Sequence, residues 1–187
     1  MDNKIELVVV GVTRKAVEAN AYALLLKEKD GQRVLPVVVG TAEAQAIAVR
    51  LEGVMLPRPI THDLIVSMCH GFGIMPEYVE LYDFVDGIFY AHLHMSSRDT
   101  AIDIDSRTSD AVAIALRTGA PIYTTSRLLN TAGYEVNNDG APVRMGRDAS
   151  LNELSKERLE SLLQQAVDAE DYERAAEIQK IIASKMA

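Results

Sequence analysis

The chain has a single cysteine, Cys69, and no tryptophan among its 187 residues. One thiol cannot close a disulfide within the chain, nor supply a cysteine-based zinc site, and a reducing compartment fits. Aromatic residues make up only 5%, which argues against an aromatic-rich platform for stacking bases. Basic residues are the minority, 19 Lys and Arg against 27 Asp and Glu, for a formal charge of −8. A protein of that charge does not coat DNA through its net field, although a local basic groove stays open to it. No apolar run approaches the roughly 18 residues of a membrane span. The start, Met1-Asp2-Asn3-Lys4-Ile5-Glu6, lacks the basic and apolar regions of a secretory signal. These absences point to a cytoplasmic protein with no membrane association.

What is present is an ordinary globular balance, 48% hydrophobic and 25% charged, enough for one core plus a smaller appendage. Before residue 150, short apolar segments are punctuated by Gly and Pro; after it both vanish, and Leu, Ala, Glu, Lys and Gln dominate. The stretch from Tyr134 to Ala149 holds Asn137-Asn138-Asp139-Gly140, Pro142 and Gly146, which is loop or linker chemistry. The expected domains are therefore 1–135, a linker over 136–149, and 150–187.

In the first part, Ile5–Val12 is an apolar, β-branched run, and Ala21–Leu26 and Val34–Val39 flank Asp30-Gly31, a hairpin signal. Residues 41–53 place Ala44, Ile47, Ala48 and Leu51 on one helical face, with Thr41 as a cap and Gly53 as a stop. Pro57-Arg58-Pro59 forces an extended connector, after which Thr61 caps a helix to His70. A second hairpin joins Tyr78–Phe84 to Ile88–Met95 across Val85-Asp86-Gly87. Ala101–Asp105 reads as a strand, Ser109–Thr118 as a helix closed by Gly119, Ile122–Thr124 as a strand, and Ser126–Ala132 as a short helix. Hairpins mixed with helices predict an α+β domain, a mixed sheet of hairpins with packed helices. Residues 150–187 read as an α-helical hairpin, with Leu159, Leu162, Leu163 and Ala166 on one face and Ala175, Ile178, Ile181 and Ile182 on the other helix. Such a pair is marginal alone, so it is expected to pack on something. The long apolar run Val34–Val39 suggests burial or pairing across subunits, and a homodimer or higher homo-oligomer is expected.

The segment richest in chemistry is Ala101-Ile102-Asp103-Ile104-Asp105-Ser106-Arg107-Thr108-Ser109-Asp110-Ala111. On a strand, Asp103 and Asp105 share one face about 7 Å apart and can hold a hard divalent cation. Thr108 or Ser109 would cap the next helix, whose free N–H groups and dipole favour a phosphate, and Arg107 can bind one bidentately. Together these suit metal-assisted phosphodiester cleavage, with Mg or Mn as the ion. The same residues also read as helix capping and a plain Asp105–Arg107 salt bridge. His62 and Asp63 open another helix. There an imidazole can serve as general base or ligand with Asp63 behind it; alternatively Asp63 only complements the helix dipole. Arg58, pinned between prolines, suits an anion site or an ion pair. Glu43 opens the first helix, and His92 and His94 share one face of a strand without an obvious third ligand.

These runs, Val34–Gly40, Glu43-Ala44, Pro57–Leu64, Ile102–Ala111 and Thr118–Ile122, occur in one order and together resemble the bifunctional nuclease domain family over roughly residues 4–135. In that family the third motif reads D-x-R-P-S-D-A; Thr108 stands here for the proline and keeps the turn. The segment Glu170–Ile178 is similar to the UVR motif, a helical hairpin through which the UvrB and UvrC repair proteins meet; Gln179-Lys180 replaces its usual Arg-Asp. The resemblance implies a nuclease acting on DNA and RNA with little sequence preference and a protein partner for residues 150–187. The candidate catalytic residues are then His62, Asp63, Asp103, Asp105 and Asp110. Arg58, Arg107 and Ser109 are the phosphate binders, and Asp103 and Asp105 the metal ligands. The competing expectation is a non-catalytic oligomeric scaffold that docks a repair or protease-adaptor partner through its C-terminal hairpin.

Overall fold

The computed structural model describes residues 4–14, 21–136 and 142–144, together with Leu159, Glu160, Leu163, Gln164, Ile178, Gln179 and Ile182. Two compact units divide the chain, Met1–Met145 and Gly146–Ala187. In the first, the elements run β1 (Lys4–Arg14), β2 (Ala21–Glu28), β3 (Arg33–Gly40), α1 (Thr41–Leu51), α2 (Thr61–Gly71), β4 (Met75–Val85), β5 (Ile88–Ser96), β6 (Ala101–Arg107), α3 (Thr108–Thr118), β7 (Ile122–Thr125), α4 (Ser126–Ala132), β8 (Tyr134–Val136) and β9 (Pro142–Arg144).

The strands form one sheet in the order β6-β5-β4-β7-β1-β2-β3-β8-β9. All neighbours are antiparallel except β4 and β7. That parallel pair needs a long crossover, and β5, β6 and α3 supply it. The domain is α+β with a mixed sheet. The β4–β5 hairpin turns on Asp86 (φ 51°) and Gly87 (φ 83°), two successive left-handed residues whose twist matches that of the strands they join.

Alternation along β4 and β5 sends Val79, Leu81, Ala91, Leu93 and Met95 to one face, where they join Leu24, Leu26, Leu35 and Ile47 in a single core with α3. The α3 helix is buried over Ala111–Ala115. A helix enclosed on nearly every side needs small side chains to let its neighbours approach, which accounts for its three alanines. It closes on Gly119 at φ 77°, a left-handed C-cap.

Two expectations are corrected. Thr41, Thr61 and Ser109 do not cap their helices: the N-cap positions are Gly40, Ile60 and Arg107, and none of the three carries a side-chain cap. The threonines and Ser109 fall inside the first turn. Of these four helices, α4 alone has such a cap, Thr125 accepting the Leu128 N–H at 3.3 Å. Second, Tyr134–Val136 and Pro142–Arg144, within a stretch that reads as loop or linker, are strands that extend the sheet from β3. Of the two alternatives for the run Val34–Val39, its own chain supplies burial for most of it: it pairs with β2 along its length, and Leu35, Val37 and Val39 enter the core, while Val38 stays 55% exposed. Of the C-terminal hairpin, the described residues Leu159, Glu160, Leu163, Gln164, Ile178, Gln179 and Ile182 are helical; the rest of that expected element lies outside the described residues. No helix among the described residues is long and apolar enough to cross a membrane.

Candidate active site

The first turns of three helices carry the charged residues of the site. Glu43 lies in the first turn of α1, Asp63 in that of α2 and Asp110 in that of α3, where acidic side chains complement the helix dipole. Because α3 packs against both α1 and α2, these distant positions meet. Arg107, on the last residue of β6, grips Asp110 with a fork: Nε to Oδ2 at 2.7 Å and Nη2 to Oδ1 at 3.2 Å. Its Nη1 donates to Glu43 Oε1 at 2.9 Å. Asp110 Oδ1 also meets His62 Nε2 at 3.1 Å. Burial pushes the Asp110 carboxyl up, but the hydrogen bonds from Arg107 and His62 outweigh it and hold it below the ordinary value of 3.8.

His62 is only 8% exposed. An ionised carboxylate accepts and cannot donate, so Asp110 keeps the proton of a neutral imidazole on Nε2 and leaves the Nδ1 lone pair free. Nδ1 is buried and has no hydrogen-bond partner among the described residues. A buried imidazole nitrogen without a partner is costly in a purely structural histidine.

Asp63 is the anchor beneath His62. Its Oδ2 accepts the Ile60 N–H at 3.0 Å, and its Oδ1 accepts from Arg117 Nε at 2.6 Å. The Ile60 N–H first, and then Arg117, hold the Asp63 carboxyl below 3.8. Arg117 is almost buried, with 5% of its side chain exposed, and it also donates to the Ala113 and Ala46 carbonyls. It therefore ties α1, α2 and α3 together. Both Asp63 and Asp110 titrate below their unfolded values, so the stability they contribute is present above about pH 4 and is lost as pH falls through their depressed values. We expect the melting temperature to fall on acidification below about pH 4, and to fall less in Asp63→Asn than in wild type. Parallel thermal melts across pH 2–7, on the order of the carboxylate range, check this; identical slopes would remove Asp63 from the effect.

Three adjoining cavities surround the network. One of about 560 Å³ is lined by Glu43, Leu56, Ile60, His62, Arg107 and Asp110. A second, about 370 Å³, shares Val49 and Leu56 with it and is lined by Arg50, Arg58, Asp63 and Arg117. A third, about 510 Å³, shares Glu43 and Arg107 with the first and reaches Gly40, Thr108 and Ser109. Together they make a trough with four arginines along it. Arg58 is exposed, and no ion pair engages it among the described residues.

The eight residues singled out from the sequence thus fall in two places. His62, Asp63, Asp110, Arg58, Arg107 and Ser109 line or support the trough. Asp103 and Asp105 do not. Their register partners on β5 are His94 and His92, which alternate with the core residues Leu93 and Met95. The two carboxylates therefore stand on the sheet face turned away from the helices. Asp103 Oδ1 meets His94 Nδ1 at 2.6 Å, and this hydrogen bond first of all holds the Asp103 carboxyl below 3.8. His94 stacks on Tyr78 (4.5 Å between centroids) and His92 on Tyr82 (4.1 Å). Among the described residues, no group of three or more His, Cys, Asp or Glu converges to hold a metal ion. Sequence reasoning missed Arg117, which sits in the last turn of α3 and reads there as dipole compensation; only the packing of α2 gives it a carboxylate.

The family model for the bifunctional nuclease domain matches residues 24–137, and the UvrB/UvrC motif matches residues 153–180. An uncharacterized protein of Mycobacterium tuberculosis is 44% identical over 128 residues, covering 68% of this chain and 76% of that protein. Bifunctional nuclease 1 of Oryza sativa subsp. japonica is 26% identical over 129 residues, 67% of this chain and 39% of its own length. Bifunctional nuclease 1 of Arabidopsis thaliana is 28% identical over 173 residues, 83% of this chain and 53% of its own. The chain thus spans about half or less of the plant nucleases that it matches.

Proposed function

We propose that this chain, which belongs to the bifunctional nuclease domain family, hydrolyses phosphodiester bonds of DNA and RNA in the trough between α1, α2 and the start of α3. The observation that carries the reading is the chain of contacts from His62 through Asp110 to Arg107 beside an open cavity. His62 is the general acid–base group. Asp110 orients the imidazole, and Asp63 secures the helix turn that presents it. A guanidinium has five N–H donors, and the contacts to Asp110 and Glu43 engage three of them. The remainder, with Arg58, hold the scissile phosphate. Contacts to phosphates position a strand without reading its bases, which fits low sequence preference.

We assign Mg²⁺ or Mn²⁺ as an assisting ion that arrives with the substrate. Mg²⁺ is commonly held by one or two carboxylates together with substrate phosphates and waters. This chain offers two such pairs, Glu43 with Asp110 in the trough and Asp103 with Asp105 on β6. When bound, the ion would neutralise charge on the phosphate.

The test is cleavage of fluorescent single- and double-stranded DNA and RNA with Mg²⁺, Mn²⁺ or EDTA. Asp110→Asn is run beside the Asp103→Asn/Asp105→Asn double variant, all purified identically. We expect metal-dependent cleavage that Asp110→Asn loses. Loss in the double variant alone would move the reaction to the far face of the sheet. Equal trace activity in every sample would end the nuclease reading.

A second reading has its own observation: the Asp63–Arg117 and Asp110–Arg107 ion pairs also suit a scaffold whose charges only brace helices. In either case we assign residues 150–187, with their UVR motif, to contact with a protein partner. We also propose a homo-oligomer. Leu64 and Met68 on α2 and Phe72 at its C-cap are spaced at i, i+4 and i+8 and are 57%, 54% and 78% exposed. Apolar stripes of this kind mark association surfaces. Light scattering should find a dimer that Met68→Glu/Phe72→Glu converts to monomer; a monomeric wild type would refute it.

A further inference from the structure

The cavity on the far side of Arg107 from His62 has features that the proposed hydrolysis does not use. It holds about 510 Å³ and is lined by Gly40, Glu43, Ile88, Phe89, Arg107, Thr108 and Ser109, among others. It lies at the N-terminus of α3, an eleven-residue helix with no side-chain cap. The first N–H groups of a helix have no partner within it and carry the positive end of its dipole. A capping side chain would normally answer one of them; here none does.

Thr108 is the independent observation. It is 4% exposed, and its Oγ1 is buried with no hydrogen-bond partner among the described residues. Leaving a buried hydroxyl unpaired costs free energy. Valine has the same shape and would fill the position without that cost. Ser109, 7% exposed, is the next cavity-lining residue, and its hydroxyl makes no hydrogen bond among the described residues. Thr108, Ser109 and Arg107, at the uncapped start of α3, thus border one cavity. The carboxylate bordering it, Glu43, accepts from Arg107 at 2.9 Å.

We propose that this cavity is a phosphate-binding subsite, separate from the position of the scissile phosphate, that takes another phosphate group of the polynucleotide. Thr108 Oγ1, Ser109 Oγ and the first amides of α3 donate to the phosphate oxygens, and Arg107 stands between the two phosphates. The site's existence is independent of hydrolysis; only the identity of its occupant as a nucleic-acid phosphate rests on the nuclease reading.

The experiment is calorimetric titration of the full chain with inorganic phosphate, and with a short oligonucleotide bearing or lacking a 5′-phosphate. Wild type is compared with Thr108→Val and Ser109→Ala, and each variant's melting temperature is read without and with phosphate. We expect wild type to bind inorganic phosphate and to melt higher in its presence. Thr108→Val should weaken that binding roughly tenfold or more, as loss of one hydrogen bond to a charged group does, while melting no lower than wild type without phosphate. Ser109→Ala should weaken it in the same direction and covers the case in which Thr108→Val does not fold. A preference for the 5′-phosphorylated oligonucleotide over the unphosphorylated one, lost in Thr108→Val, identifies a nucleic-acid phosphate as the occupant. Oligonucleotide affinity unchanged in Thr108→Val, with inorganic phosphate binding weakened by the same substitution, would overturn that identity and leave a site for free phosphate. No phosphate binding by wild type, or equal binding by the folded variants, would overturn the site itself. Neither result depends on cleavage, so the fate of the nuclease reading stays separate.

Discussion

Replacing His62 by glutamine is expected to lower the cleavage rate by about 10²–10⁴-fold, the usual contribution of a positioned general acid–base group. Glutamine keeps an amide that can still reach Asp110, so the contact between α2 and α3 is retained while the titratable nitrogen is removed. The fall should lie in kcat, with KM nearly unchanged, because phosphate holding falls to Arg58 and Arg107. Arg58→Ala should do the reverse. It is exposed and, among the described residues, unpaired, so its loss should raise KM and leave folding alone. Single-turnover and steady-state kinetics on one single-stranded substrate separate the two. If His62→Gln cleaves at the wild-type rate, His62 has no part in the chemistry and the trough loses its claim as the active site.

Arg117→Met should be the most destabilising polar substitution in the domain. Arg117 is nearly buried and holds three partners at once: Asp63, the Ala46 carbonyl and the Ala113 carbonyl. Methionine supplies comparable apolar bulk but leaves Asp63 facing two helices without its cation. Breaking a buried pair by removing one member costs roughly 3–5 kcal/mol. Asp63 keeps 37% of its side chain exposed, so water recovers part of its solvation and the expected loss is about 3 kcal/mol. That corresponds to a fall of roughly 10 °C in melting temperature. Adding Asp63→Asn to Arg117→Met should restore part of it, because the unpaired charge is then gone. A drop of only about 1 °C in Arg117→Met would place the pair among surface salt bridges of little worth. Cleavage measured on the same variant carries a second reading. If Asp63 and Arg117 position His62 through the first turn of α2, activity falls at temperatures where the fold is still intact.

How much of the fold is legible in the sequence follows from the range over which each signal acts. Alternation, helical periodicity and turn chemistry are local. The eleven elements through α4 can therefore be read from Asp30-Gly31, Asp86-Gly87, Gly119 and the apolar spacing of residues 41–51. Strands β8 and β9 cannot. They are three residues long, lie amid Asn, Gly and Pro, and β8 pairs with Arg33 and Val34, a hundred residues earlier in the chain. Their existence depends on a partner and has little local signal. The helix starts are displaced by one or two residues for a related reason: a threonine is compatible with the N-cap and with the first turn alike, and the strand or connector entering the helix chooses between them.

The candidate site divides along the same line. Residue types and spacing already single out His62, Asp63, Arg107 and Asp110, because each sits at a helix start where charge has a physical reason to collect. Sequence adjacency also joins Asp103 and Asp105 to them, and there it misleads, since residues two apart on a strand share a face whichever face that is. Only the tertiary structure decided that β6 turns both carboxylates toward His92 and His94, away from the helices. The packing of α3 against α1 and α2 likewise joined Glu43, His62, Arg107 and Asp110 into one network, gave Asp63 its buried arginine, and left Thr108 Oγ1 and His62 Nδ1 without partners among the described residues. The chain by itself determined which elements form and which residues carry charge, because backbone preference and hydrophobic period act over a few residues. Which charges meet depended on contacts between residues 43, 62 and 107, and those exist only once burial of the shared core has brought their helices together.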